Sequence, residues 1–102
     1  MPYLIYAIDH DDKNDIREEL RQKHRDHLSS VGKKLLGSGA LLDEEGGNVI
    51  GGLSILDTSD KEEAQQFADN DPYSIAGIRK VTTVTKWRRR WLDGEFLANI
   101  NS

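Results

Sequence analysis

The chain has 102 residues, which sets one domain as the default, and its 18 acidic residues against 14 Lys plus Arg give a formal charge of −4, which argues against generic polyanion binding. The absence of cysteine excludes disulfides, thiol catalysis, Fe–S ligation and Cys-based zinc sites. No apolar run approaches the roughly 18 residues of a membrane span, and Met1-Pro2-Tyr3-Leu4-Ile5-Tyr6 lacks the basic segment and small-residue cleavage site of a signal peptide, so a cytoplasmic protein with no membrane partner is expected.

The run Tyr3 to Ile8 is apolar or amphipathic throughout and is bounded by Asp9-His10-Asp11-Asp12, which suits a central strand covered on both faces. The Asp cluster is expected to open and cap a helix that keeps one apolar face to about Val31, with Gly32 as its left-handed stop. Lys33 to Leu42 reads as a second strand, broken by Gly37-Ser38-Gly39. Asp43-Glu44-Glu45-Gly46-Gly47-Asn48 reads as a hairpin connection and Val49 to Leu56 as a third strand. The Gly51-Gly52 pair predicts a bulge or a close approach to the backbone. Ser59-Asp60-Lys61-Glu62 matches a capping box for a second helix carrying Ala64, Phe67 and Ala68. That helix stops at Asn70-Asp71-Pro72, and after a short turn Ile78 to Lys86 is the last strand.

The order βαββαβ predicts a ferredoxin-like α+β sandwich, with a four-stranded antiparallel sheet and both helices on one face. Two helices leave the other face bare, yet the first strand is apolar on both. A domain of this size buries only about 60–68% of its unfolded surface, so a two-fold homodimer through the bare face is expected.

On the first helix, Ile16, Leu20, Leu28 and Val31 define the buried arc, and His24 and His27 fall within it, three positions apart. Arg21 lies at its edge, one turn before His24. Two readings stay open: a polar pocket in which a histidine works as acid or base, or core histidines satisfied by carbonyl or carboxylate groups. Asp71 before Pro72 is either a turn former or a carboxylate that fixes a histidine tautomer. Tyr73 either donates a hydroxyl or packs. The His24, His27 and Asp71 set could chelate a metal, but no His-Glu-x-x-His pattern supports one and none is expected. Lys86-Trp87-Arg88-Arg89-Arg90-Trp91 mixes basic and aromatic residues as nucleic-acid readers do. In an acidic chain, pairing with carboxylates of the same or a partner subunit is the expected use, and no nucleic acid partner is assigned.

These residues resemble the YCII-related domain family of the dimeric α+β barrel superfamily, from about Tyr3 to Trp87. The resemblance rests on Arg21-Gln22-Lys23-His24 followed by Gly32, on Gly39-Ala40-Leu41-Leu42 leading to Gly46, on Ala68-Asp69-Asn70-Asp71-Pro72-Tyr73-Ser74-Ile75-Ala76-Gly77, and on Trp87. The chain departs from the family at Gln22, Ala40 and Lys86, each where proline is common. The resemblance implies a domain over 1–87 with a tail over 88–102, a dimeric α+β barrel, and His24 with Asp71 as the active-site pair, Arg21 and Tyr73 nearby to bind substrate. It favours His24 over His27. One family branch resembles a dehydrochlorinase of chlorinated hydroxyquinols. The implied function is a small-molecule enzyme working by proton transfer (lyase, isomerase or dehydrohalogenase) without a cofactor, on a substrate that includes an anionic oxygen. The alternative is a homodimeric ligand-binding module without catalysis. The tail, with Trp91, Leu92, Phe96, Leu97 and Ile100 around an Asp93-Gly94 turn, is expected to lie across a partner subunit.

Overall fold

The computed structural model describes residues 1–97. Strand β1 (Tyr3–Asp9) leads to helix α1 (Asn14–Ser29), a 3-10 turn over Gly32–Lys34, and strands β2 (Leu35–Leu42) and β3 (Val49–Leu56). Helix α2 (Lys61–Asp69), the single-turn helix α3 (Pro72–Ile75) and strand β4 (Arg79–Lys86) complete the sandwich. The sheet order is β2-β3-β1-β4, antiparallel throughout, so the apolar first strand is central. Tyr3 pairs with Leu56 on one side and Lys86 on the other.

Alternation along β1 separates its two faces. Tyr3, Ile5 and Ala7 are buried, and Tyr3 and Ile5 meet Leu56, Ala64, Phe67 and Ala68, with Leu28 of α1 and Val31 just beyond it packed beside them. Leu4 is half-buried, and Tyr6 and Ile8 on the same side are exposed. In the single chain, therefore, only one face of the central strand is covered. Leu56 and Ile78 are fully buried, each contributing about 1.5–3 kcal/mol.

Three local expectations are corrected. The Asp cluster does not cap α1: the N-cap is Lys13, without a side-chain cap bond, and Asp12 takes φ +60° in the turn before it. A left-handed turn suits Asp better than most residues, and Asp15 in the first turn keeps an acid near the positive helix end. Helix α2 is capped by Asp60, one residue beyond the expected Ser59. Its Oδ1 accepts from the Glu62 amide at 2.9 Å, and Thr58 Oγ1 accepts from the Asp60 amide at 3.1 Å. The expected turn after Asn70 is the one-turn α3, with Asp71 as N-cap and Pro72 where a missing N–H costs nothing.

The Gly51 expectation holds: a Cβ there would sit 2.0 Å from the Ala7 carbonyl oxygen. Gly32 is left-handed at φ +57°. Beyond β4, strands β5 (Trp91–Leu92) and β6 (Glu95–Phe96) form a separate hairpin. Asp93 and Gly94, at φ +51° and +79°, make the turn whose twist matches paired strands. Ile100 lies outside the described residues. Among those residues no helix is long and apolar enough to cross a membrane.

Candidate active site

A cleft of about 900 Å³ opens between α1 and the inner face of the sheet. No residue of α1 is fully buried, and its inward arc carries Arg17 and His24 as well as Leu28. The helix therefore does not close on the sheet as an apolar face would. The floor is built of small side chains, Ala7, Ser38, Ala40, Gly52, Ser54 and Thr82, with Ser38 and Ser54 hydroxyls bonded at 2.9 Å across β2 and β3.

His24, on α1, meets Asp71, the N-cap of α3, across 47 residues of sequence: Nδ1 lies 2.8 Å from Asp71 Oδ1. The same oxygen accepts from the Tyr73 amide at 2.9 Å, so the cap that starts α3 also fixes the carboxylate. Burial pushes the Asp71 carboxyl up. The bonds from His24 and the Tyr73 amide and the charges of His24 and Arg79 outweigh burial and hold it below the ordinary 3.8. Asp71 is then ionised at neutral pH and can only accept, so Nδ1 carries the proton. In the neutral imidazole that leaves Nε2 as an acceptor, with no partner among the described residues.

A second carboxylate, Asp9 at the end of β1, anchors two guanidinium groups. Arg17 Nε donates to Oδ2 at 2.8 Å and Arg79 Nη1 to Oδ1 at 3.1 Å. The three side chains are 4%, 13% and 11% exposed, so the charges are paired out of water, where pairing matters. Arg17 also donates to the Gly51 carbonyl at 3.1 Å, and Arg79 Nη2 lies 3.6 Å from Asp71 Oδ2. Tyr73 fills the middle. Its ring stacks on His24 at 4.0 Å and 11°, with the Arg17 and Arg79 guanidinium carbons 4.5 and 5.4 Å from its centroid. The Tyr73 hydroxyl donates to the Arg17 carbonyl at 3.2 Å, so this residue offers the cleft a ring.

The structure thus brings His24, Asp71 and Tyr73 into direct contact. Arg21 lines the cleft from an exposed position, paired with Glu18. His27 stands apart: its Nε2 bonds the Phe67 carbonyl at 2.7 Å and its ring stacks on Phe67, the core role left open by its spacing. Among the described residues no group of three or more His, Cys, Asp or Glu is placed to hold a metal ion.

Sequence reasoning missed Asp9, Arg17 and Arg79. Asp9 has only a weak signal, its place at the end of an unbroken apolar run, because the burial alternation Tyr3, Ile5, Ala7, Asp9 is visible in the fold and not in the residue types. Arg17 lies one turn before Arg21 and two before His24. Arg79 has no local signal, since its partners lie on α3 and β1.

The family model for the YCII-related domain matches residues 1–88. No curated protein matches the chain. Among solved structures, it is similar to 5-chloro-2-hydroxyhydroquinone dehydrochlorinase from Burkholderia phenoliruptrix AC1100, determined in complex with 2,5-dihydroxybenzoquinone. The identity is 26% and the TM-score 0.80, over 86% of this chain and 94% of that one.

Proposed function

The chain belongs to the YCII-related domain family, and from that premise we propose that it is a homodimeric, cytoplasmic small-molecule enzyme that moves a proton with the His24–Asp71 pair, in an elimination, isomerisation or dehydrohalogenation. The observation that carries the reading is the 2.8 Å contact between His24 Nδ1 and Asp71 Oδ1 at the wall of the cleft. With Nδ1 bonded to a carboxylate, Nε2 is the base, and the imidazolium that forms is stabilised by Asp71.

In a dehydrohalogenation, Nε2 takes a proton from the substrate, the released electron pair forms the new double bond, and halide leaves with its bonding pair. The net change is loss of one hydrogen halide. The charge that develops on a substrate oxygen needs a fixed cation nearby. Arg21 is the assigned group, and Arg17, Arg25 and Arg79 also line the cleft, against Glu18, Asp71 and the Asp9 carboxylate that pairs Arg17 and Arg79. In a chain of net charge −4, that local excess of arginine favours an anionic or enolate ligand. The Tyr73 ring supplies a flat wall beside the base.

The relative's name sets the first test. Chloride release from 5-chloro-2-hydroxyhydroquinone is measured for the native chain and for His24→Ala, together with binding of 2,5-dihydroxybenzoquinone. Native turnover that falls about 10²–10⁴-fold in His24→Ala supports the reading. Equal rates in the two proteins overturn it. Quinone binding without turnover by either assigns the cleft to a ligand-binding module.

A further inference from the structure

The feature of this chain that the cleft does not use is the hairpin after β4. It begins where the match to the family ends, at residue 88, and among the described residues its two short strands pair only with each other. Trp91 and Phe96 face each other at 4.7 Å between ring centroids, yet remain 61% and 57% exposed. A hairpin of this size is marginal alone, and two large aromatic rings tilted against each other in water are an interaction surface without its other half. The base is tied down: the Trp87 amide donates to the Pro2 carbonyl at 2.8 Å, the Leu97 amide to the Arg90 carbonyl at 2.6 Å, and Arg89 lies 3.7 Å from Asp57. The tip therefore projects from a fixed point.

We propose that residues 88–97 are an arm that clasps a second copy of this chain. Two independent arguments select that occupant, and both rest on the dimer proposed above. The first is area. The bare sheet face carries Leu4, Tyr6, Ile8, Leu53 and Ile55 on one side. Four strands of seven or eight residues span roughly 500 Å² in plan, a footprint in the range of a standard interface, which takes about 800 Å² of accessible surface from each partner. The exposed Trp91 and Phe96 rings add apolar surface to it. The second is charge. Lys86 pairs with Tyr3 and Arg79 with Asp9, so the arm, with Arg88 and Arg90 exposed, leaves the sheet at the end of β1 remote from Asp11, Asp12 and Asp15. The clasp requires a two-fold axis running across the strands, which sets Arg88 and Arg90 at the base of one arm over that acidic end of the other copy, while Asp93 and Glu95 lie further out on the hairpin.

Sedimentation equilibrium is run on the full chain, on the Trp91→Ser, Phe96→Ser double variant, and on the chain ended after Trp87. The expected result is a dimer whose dissociation constant rises about 10- to 100-fold in both altered forms, with an unchanged far-ultraviolet spectrum. In the Trp87→Phe variant, whose only tryptophan is Trp91, emission is expected to shift to the blue with rising protein concentration, a readout that needs no truncation. An unchanged dissociation constant overturns the arm while leaving the sheet-face dimer intact. A full chain that stays monomeric overturns both. Arm-dependent retention of a labelled oligonucleotide with no effect on dimerisation assigns the arm to another partner and also overturns the proposal.

Discussion

Asp9 Oδ1 accepts from Arg79 Nη1 at 3.1 Å, joining the end of the first strand to the start of the last across 70 residues of sequence. The other oxygen of the same carboxylate holds Arg17, so one 4%-exposed side chain pairs with both guanidinium groups that border Tyr73 and offsets one of their two charges. Two like charges brought this close out of water repel strongly unless an anion sits between them. Asp9 is therefore the fixed point from which Arg79 reaches Asp71.

Replacing Asp9 by Ala leaves both arginines without their carboxylate. Removing one partner of a buried pair costs about 3–5 kcal/mol, and urea unfolding of Asp9→Ala is expected to show a loss of that order. A loss below about 1 kcal/mol, the range of surface pairs, would show that water reaches the cluster freely.

Asp71 links the same network to pH. Its carboxyl lies below the ordinary 3.8 in the folded protein, so its stabilising contribution is complete above that value. The contribution is lost as pH falls below 3.8 through the folded-state value, because the unfolded chain then binds the proton first. In urea titrations from about pH 6 to about pH 2, the stability gap between the native chain and Asp71→Asn is expected to be constant at the upper end and to narrow at the lower. A gap that widens on acidification would contradict the assigned direction.

His27 makes a contrasting forecast. It satisfies the Phe67 carbonyl and lies against the Phe67 ring, so His27→Ala is expected to cost about 1–3 kcal/mol in unfolding free energy. If the cleft turns over substrate through His24, the rate per folded molecule stays close to native. A His27→Ala variant that loses turnover at full stability would move the base from one histidine to the other.

How much of this was legible in the sequence depends on how far apart the interacting residues lie. The strands were readable because apolar runs and turn residues are local, and the unbroken run from Tyr3 to Ile8 marked the centre of the sheet. Cap positions were not, because Ser59 and Asp60 are both good caps and only tertiary context chooses between them. His24 and Asp71 were paired by the resemblance. Spacing alone left each with a bland reading, since nothing local says that a helix face and a turn 47 residues later will meet. The arginines escaped for the same reason. A charged residue on a short stretch reads as solvated until the fold places a carboxylate beside it.

The Gly51-Gly52 pair allows two adjacent and chemically identical changes to be set against each other. A Cβ on Gly51 would meet the Ala7 carbonyl oxygen at 2.0 Å and its carbon at 3.1 Å. Both are backbone atoms of the central strand, held by the ladder in which Gly51 pairs with Ile8, so relief requires the β1–β3 pairing to open. A Cβ on Gly52 would meet the Arg79 guanidinium at 3.4 and 3.5 Å and the Gly39 carbonyl oxygen at 3.6 Å, all ordinary van der Waals contacts that require no neighbour to move. Gly51→Ala is expected to destabilise by about 1–3 kcal/mol or more through overpacking. Gly52→Ala is expected to fall within about 0.5 kcal/mol of native, helped by the lower entropy of its unfolded chain. Thermal and urea unfolding of the two variants side by side checks this. Equal losses would mean that the approach of β1 to β3 at Ala7 is looser than 2.0 Å implies and that glycine is not required there by sterics.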